Sequence, residues 1–354
     1  MHRAYSFLLL SLLLGANLFG QAAPKESLLV LSKHDHTLAI VDPATLKVVA
    51  KMPVGDDPHE VIATADGKFA YVSNYGGGGA GALHTLAMLD LVNHTAMTPI
   101  DLGALRGPHG LDYAGGKVWF TAEAAKAFGS VDPANGKVDF VLGSGQNRTH
   151  MIYVSQDLGR IFTSNIQSGT VSIWEKVRPS LPSGPPPAAQ GGAAPAGPSG
   201  GGFPPEWTQF LVIVGAGSEG FDVSPDGKEL WAANAQSGTI AVVNISEKSV
   251  VRTINANVRG ANRLKFTPDG KLVLVSSLGG ADVAVLDVGL KEVVKRIPVG
   301  HGAAGIQMEP SGTRAFVACT PDNYVAVIDL KTLAVTGQID AGGNPDGMAW
   351  AIKK

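Results

Sequence analysis

Ser224-Pro-Asp-Gly-Lys-Glu-Leu-Trp-Ala-Ala-Asn234, followed after four residues by Thr239-Ile-Ala-Val-Val-Asn244, decides the fold of this chain. Asp226-Gly227 is a tight-turn pair whose glycine supplies the positive φ that a hairpin needs. Short apolar runs flank the turn, and the second run closes on a polar turn residue, so the segment reads as three successive strands. The last of these has six counterparts: Thr37-Leu-Ala-Ile-Val-Asp42, Thr85-Leu-Ala-Met-Leu-Asp90, Ala127-Phe-Gly-Ser-Val-Asp132, Thr170-Val-Ser-Ile-Trp-Glu175, Asp282-Val-Ala-Val-Leu-Asp287 and Tyr324-Val-Ala-Val-Ile-Asp329. The turn has only five, at Asp66-Gly67, Gly115-Gly116, Leu158-Gly159, Asp269-Gly270 and Ser311-Gly312.

Gly227, Gly270 and Gly312 are spaced 43 and 42 residues apart, which is the length of a four-stranded propeller blade. Seven third strands with six turns require one blade to be split between the chain ends. Its innermost strand is expected at Gly347–Ile352 and its next two at Leu28–Ser32 and Leu38–Asp42. Closing the ring in this way removes open sheet edges. The sequence therefore predicts an all-β, seven-bladed propeller over 27–354, with six or eight blades as the alternatives.

Composition agrees and excludes other classes. The 354 residues include 45 Gly and 22 Pro, 45% are hydrophobic, and 28 Lys+Arg against 30 Asp+Glu leave a net charge of −2. Such a chain is not disordered for want of apolar residues, and nucleic acid is not favoured as a partner. One cysteine, Cys319, excludes an internal disulfide framework and Cys-based zinc or iron–sulfur sites. It is expected to be a packed free thiol.

Residues 1–22 read as a secretory signal: His2 and Arg3, a Leu-rich run from Phe7 to Phe19, then Gly20-Gln21-Ala22-Ala23. The run is short for a bilayer crossing. The expected product is an exported periplasmic or extracellular monomer with no membrane span. Residues 178–206, rich in Pro, Gly, Ala and Ser, are expected to form a disordered insertion within the propeller. Tyr75-Gly-Gly-Gly-Gly-Ala-Gly-Ala82 lacks the Gly-Lys-Ser/Thr and following helix of a phosphate loop, so no nucleotide cofactor is expected.

Tyr71-Val-Ser-Asn74, Trp231-Ala-Ala-Asn234 and Ser224-Pro-Asp-Gly-Lys228 resemble the YVTN-type β-propeller repeats of exported bacterial and archaeal proteins, over nearly the whole mature chain. Gly107-Pro-His-Gly-Leu111 with Val118-Trp-Phe-Thr-Ala-Glu123 is similar, over one blade, to the repeat of the streptogramin B lyase group, with Ala122 interrupting that group's Trp-Phe-Thr-Glu. The first resemblance implies the propeller. The second implies chemistry on the same blade.

Aligning the innermost strands on their turns brings His59, His109, His150, Glu219, Asn262, Ala304 and Asp346 to one position beside the axial channel. The chain has nine His, so three in one register on consecutive blades mark a candidate site. Neutral imidazoles with a carboxylate suit a divalent metal, with His59, His109, His150 and Glu219 as ligands for Zn, Cu or Fe, and less readily Mg. The same groups suit acid–base work, with His109 and Glu123 as the catalytic residues. Arg106, Arg148, Arg259 and Arg263 lie at or near loops of that face and, with Asp346, are expected to bind a small anionic substrate. His34 and His36 read as solvated loop residues. Asn74, Asn165 and Asn234 read as side chains that pin loops to the backbone.

Two functions follow. One is a metal-assisted lyase or lactone-type hydrolase. The other is a non-catalytic scaffold for a protein, glycan or nucleic-acid partner.

Overall fold

The computed structural model describes residues 24–178 and 204–354. The expected signal peptide and residues 179–203 of the insertion lie outside the described residues.

The described residues form seven antiparallel sheets arranged as blades, each running from an innermost strand A to an outermost strand D. Numbered from the first complete blade, the A strands are Pro58–Ala63, Pro108–Ala114, Thr149–Val154, Ser218–Val223, Ala261–Phe266, Ala303–Met308 and Pro345–Ile352. All seven third strands and all six turns fall where the repeat places them. Strand D of blade 1 is interrupted, leaving the two short pieces Thr95–Ala96 and Ile100–Asp101. In blade 3 it begins at Glu206, on the far side of the insertion.

Blade 7 is the split one. Its strand A, at the C-terminus, pairs with Glu26–Ser32, placing Leu28 opposite Trp350 and Val30 opposite Met348. Ladder hydrogen bonds thus close the ring between chain ends, and no sheet edge is left open there.

Seven apolar clusters occupy the seven spaces between neighbouring blades. Strands B and C are therefore buried on both faces, as in Glu229–Asn234, where only the first residue is partly exposed. The outermost strands face solvent on one side and alternate, as Lys137–Gly143 does. Cys319 is one of the packed core residues and donates weakly to Val299 O at 3.4 Å.

One irregularity recurs in every blade. The pairing of strand A with strand B slips near the second and third residues of strand A, between Pro58 and Val61, Thr149 and Ile152, Ala261 and Leu264, and at the equivalent point of the other four. A bulge of this kind re-aims side chains that strict alternation would send to opposite faces. As a result, neighbours in sequence such as Asn262 and Arg263 both line the axial space.

Candidate active site

The D–A and B–C connections gather on one face of the ring, around a cavity of about 440 Å³ at the mouth of the axis. His59, His109, His150, Glu219, Asn262 and Asp346 line it, each from the second position of its strand A. The expected register is thus the actual one.

Three imidazoles form a row. The His59 and His109 ring centroids are 4.9 Å apart, and those of His109 and His150 are 3.7 Å apart at 33°. Tyr75, the first residue of the glycine-rich loop, packs edge-on against both His59 and His109 at 4.7 and 5.0 Å.

One end of the row is anchored by Glu123. Its side chain is fully buried, and Oε1 accepts a hydrogen bond from His150 Nδ1 at 2.5 Å. Oε2 accepts from Arg148 Nε at 3.1 Å and from the Tyr75 hydroxyl. Burial opposes the charged form, but the hydrogen bond and charge of His150, with Tyr75 and Arg148, hold the carboxyl below its ordinary pKa. Burial and then the neighbouring carboxylate push the Tyr75 hydroxyl up, so it stays a donor. With Nδ1 committed, His150 Nε2 is left buried without a hydrogen-bond partner, 3.6 Å from Glu219 Oε1.

His109, at the centre, is 2% exposed, and its Nδ1 also lacks a partner. Burial, then the neighbouring His150 and His59, depress its pKa well below 6.5. It is a neutral ring.

The other end sets an ammonium beside two carboxylates. Lys33, in the loop after Glu26–Ser32, brings Nζ to 2.7 Å from His59 Nε2, 3.4 Å from Asp346 Oδ2 and 3.7 Å from Asp57 Oδ1. The floor is an ion pair across the axis, in which Arg263 of blade 5 donates to Glu60 of blade 1. Arg263 lines both this cavity and a second one of about 260 Å³ further along the axis.

The residue before each strand A has a left-handed backbone: Asp57, Gly107, Arg148, Gly217, Gly260, Gly302 and Asn344 all have φ between 45° and 75°. Glycine occupies four of these positions and Asn one, as sterics favour. The two remaining side chains, Asp57 and Arg148, are the ones whose polar atoms reach His59 and Glu123.

Of the arginines expected at the site, Arg148 and Arg263 line the cavity. Arg106 instead donates to Ala82 O at 2.9 Å, bracing the glycine-rich loop, and Arg259 is exposed. Loop position set their Cα atoms on the right face without setting their direction. Glu123, expected as a catalytic acid or base, has both carboxyl oxygens engaged, Oε1 by His150 and Oε2 by Arg148 and Tyr75. Asn74 and Asn234 hold the preceding D–A connections through Val54 O and Val214 O, both at 2.9 Å. His34 and His36 are exposed.

The expected metal ligands His59, His109, His150 and Glu219 all line the cavity, with His109 and His150 stacked and His59 tilted at 54° to His109. His150 Nδ1 is bound to Glu123, and His59 Nε2 to Lys33. Among the described residues no group of three or more His, Cys, Asp or Glu side chains is arranged to hold a metal ion. No helix among them is long and apolar enough to cross a membrane. Lys33, Tyr75, Asp57 and Glu60 join the site without being among the residues expected there.

Fold and site together define a seven-bladed propeller with a polar, histidine-lined pocket at its axial mouth. No protein-family model and no curated protein match the sequence. Solved structures do. A protein of unknown function from Desulfotomaculum acetoxidans is 16% identical with a TM-score of 0.70, covering 93% of this chain and 99% of that one. Candidate 6-phosphogluconolactonases from Bacteroides fragilis and Bacteroides uniformis are 17% and 15% identical, with TM-scores of 0.68 and 0.69. They cover 94% and 92% of this chain and 99% of each of theirs. At these identities the likeness establishes the architecture alone.

Proposed function

We propose that the protein is an exported hydrolase of a small anionic ester or lactone. The observation that carries this reading is the Glu123–His150 pair, whose remaining nitrogen, Nε2, is buried and unpartnered beside the cavity. A carboxylate on Nδ1 fixes the tautomer in which Nε2 is a base, the logic of every carboxylate–histidine dyad.

In this reading His150 Nε2 takes a proton from water as the oxygen attacks the carbonyl. Glu219 faces the imidazolium that forms. His109, neutral and stacked on His150, keeps the ring from rotating and keeps bulk water off it. Arg148 spends Nε on Glu123 and one terminal nitrogen on Tyr75, leaving its other terminal nitrogen at the cavity wall for a carboxylate or phosphate. The two structural neighbours described as candidate 6-phosphogluconolactonases support a lactone as the substrate class. The resemblance of blade 2 to the streptogramin B lyase repeat supports chemistry on the blade that supplies His109 and Glu123, and the amino-terminal apolar run supports export. A metal has no step in this scheme.

The test is a panel of lactones and esters bearing a carboxylate or phosphate, assayed with the mature chain in chelator. Hydrolysis is expected, with kcat/KM lower by about 10³-fold in His150→Gln. Failure of the native protein to hydrolyse any member retires the reading, and activity that vanishes in chelator returns the metal to the mechanism.

A further inference from the structure

We infer that Lys33 is the proton donor of this site, and that the substrate therefore leaves an aliphatic alcohol, as an alkyl ester or lactone does, and not a phenol or other acidic group. The inference rests on the hydrolase reading above and adds its second half.

The row of rings has unlike ends. At one end the Glu123 carboxylate holds His150; at the other, His59 lies between the Lys33 ammonium and the Asp57 carboxylate. Around Lys33, itself in a B–C loop, stand His59, Asp57 and Asp346, drawn from a D–A loop and two A strands. His59 Nε2 lies 2.7 Å from Lys33 Nζ and 3.1 Å from Asp57 Oδ1. Lys33 Nζ is also 3.4 Å from His59 Nδ1, so the ammonium lies along the edge of the ring and is held there by the carboxylates of Asp57 and Asp346.

Lys33 lines the cavity with its side chain about a quarter exposed, so its proton can be restored from solvent. His109 stands between His59 and His150, and Lys33 and His150 line the same cavity of about 440 Å³. In the balanced step, the water oxygen bonds to the carbonyl carbon and its proton goes to His150 Nε2. The carbon–oxygen bond to the leaving group then breaks, and that oxygen takes a proton from Lys33 Nζ. The acid formed ionises, and solvent restores both side chains. An alkoxide is a poor leaving group and needs this proton; a nitrophenolate does not.

The experiment compares native protein with Lys33→Met on two substrates sharing an acyl group, an aliphatic lactone or alkyl ester and a 4-nitrophenyl ester. The variant is expected to lose about 10²- to 10³-fold in kcat/KM on the alkyl substrate and less than about fivefold on the aryl one. Equal losses on both overturn the inference while leaving the hydrolase reading standing. Native protein inactive on both removes the reading and the inference with it.

Discussion

Glu123 and His150 are joined by a 2.5 Å hydrogen bond across the boundary between blades 2 and 3, with the carboxylate fully buried and the imidazole 3% exposed. Because Tyr75 and Arg148 saturate the other oxygen, Glu123 stays anionic in a place where an isolated carboxylate would not. The pair is therefore a fixed tautomer with a fixed direction.

Glu123→Gln keeps the shape and removes the charge. An amide at this position cannot accept from His150, Tyr75 and Arg148 together, so His150 loses the partner that makes Nε2 a base. The expected outcome is a fall in kcat of about 10³- to 10⁴-fold with KM little changed. Steady-state kinetics on the alkyl lactone decide it; a loss below tenfold leaves the dyad without a catalytic role.

Arg148 has a left-handed backbone at a position where four other blades have glycine. Replacing it by glycine relieves about 1 kcal/mol of strain and forfeits one charged partner of Glu123, two effects of opposite sign. Arg148→Gly should therefore unfold within a few degrees of the native protein, on the scale that about 1 kcal/mol shifts Tm. Activity on an anionic lactone should fall at least about 100-fold, and that on its neutral analogue about tenfold or less. A large drop in melting temperature with equal losses on both substrates would make Arg148 a structural counter-charge instead.

Within the glycine-rich loop, Gly78 is the glycine that abuts Glu123. A Cβ on Gly78 would lie 2.7 Å from Glu123 Oε2 and 3.3 Å from the Tyr75 hydroxyl, whereas one on Gly79 meets nothing within 4 Å. Gly78→Ala should push the loop off the carboxylate, costing about 1–3 kcal/mol and lowering kcat, while Gly79→Ala behaves as native. Denaturant unfolding of the two variants checks this, and matching curves would mean that the loop does not bear on the site.

The ring and its register were legible in the sequence because they are periodic. Turn glycines in six blades, 42 or 43 residues apart in three of their five intervals, align the strand A segments, and with them the convergence of His59, His109 and His150. What periodicity cannot supply is direction. It put Arg106 and Arg259 beside the site, yet one braces a loop and the other faces water. It brought three imidazoles together without saying how the rings face one another, and His109 and His150 stack at 3.7 Å. Lys33 and Glu60 were missed because their partners are 26 and 203 residues away and meet them only once the ring has closed. One signal was available: the residue before each strand A is Gly or Asn in five blades, and the two exceptions, Asp57 and Arg148, are both at the site.

His109 gives the site a signature in the stability of the whole protein. Its burial, reinforced by His150 and His59, holds its folded pKa well below 6.5, so the native state refuses a proton that the unfolded chain accepts. Below about pH 6.5 the unfolded state thus binds more protons, and native stability falls with pH by up to about 1.4 kcal/mol per unit for this one group. Asp112, which burial raises to about 6, acts in the opposite sense between its unfolded value of 3.8 and that point. Comparing native protein with His109→Gln cancels Asp112, which both contain. The substitution has a cost of its own that does not vary with pH, so the difference in unfolding free energy should be flat above pH 7. It should then shrink by about 1 kcal/mol for each unit from 6.5 to 5, as the native protein loses an advantage the variant never had. Parallel curves across that range would mean that His109 is charged in the folded state, and a charged ring there cannot serve as the neutral wall against which His150 works.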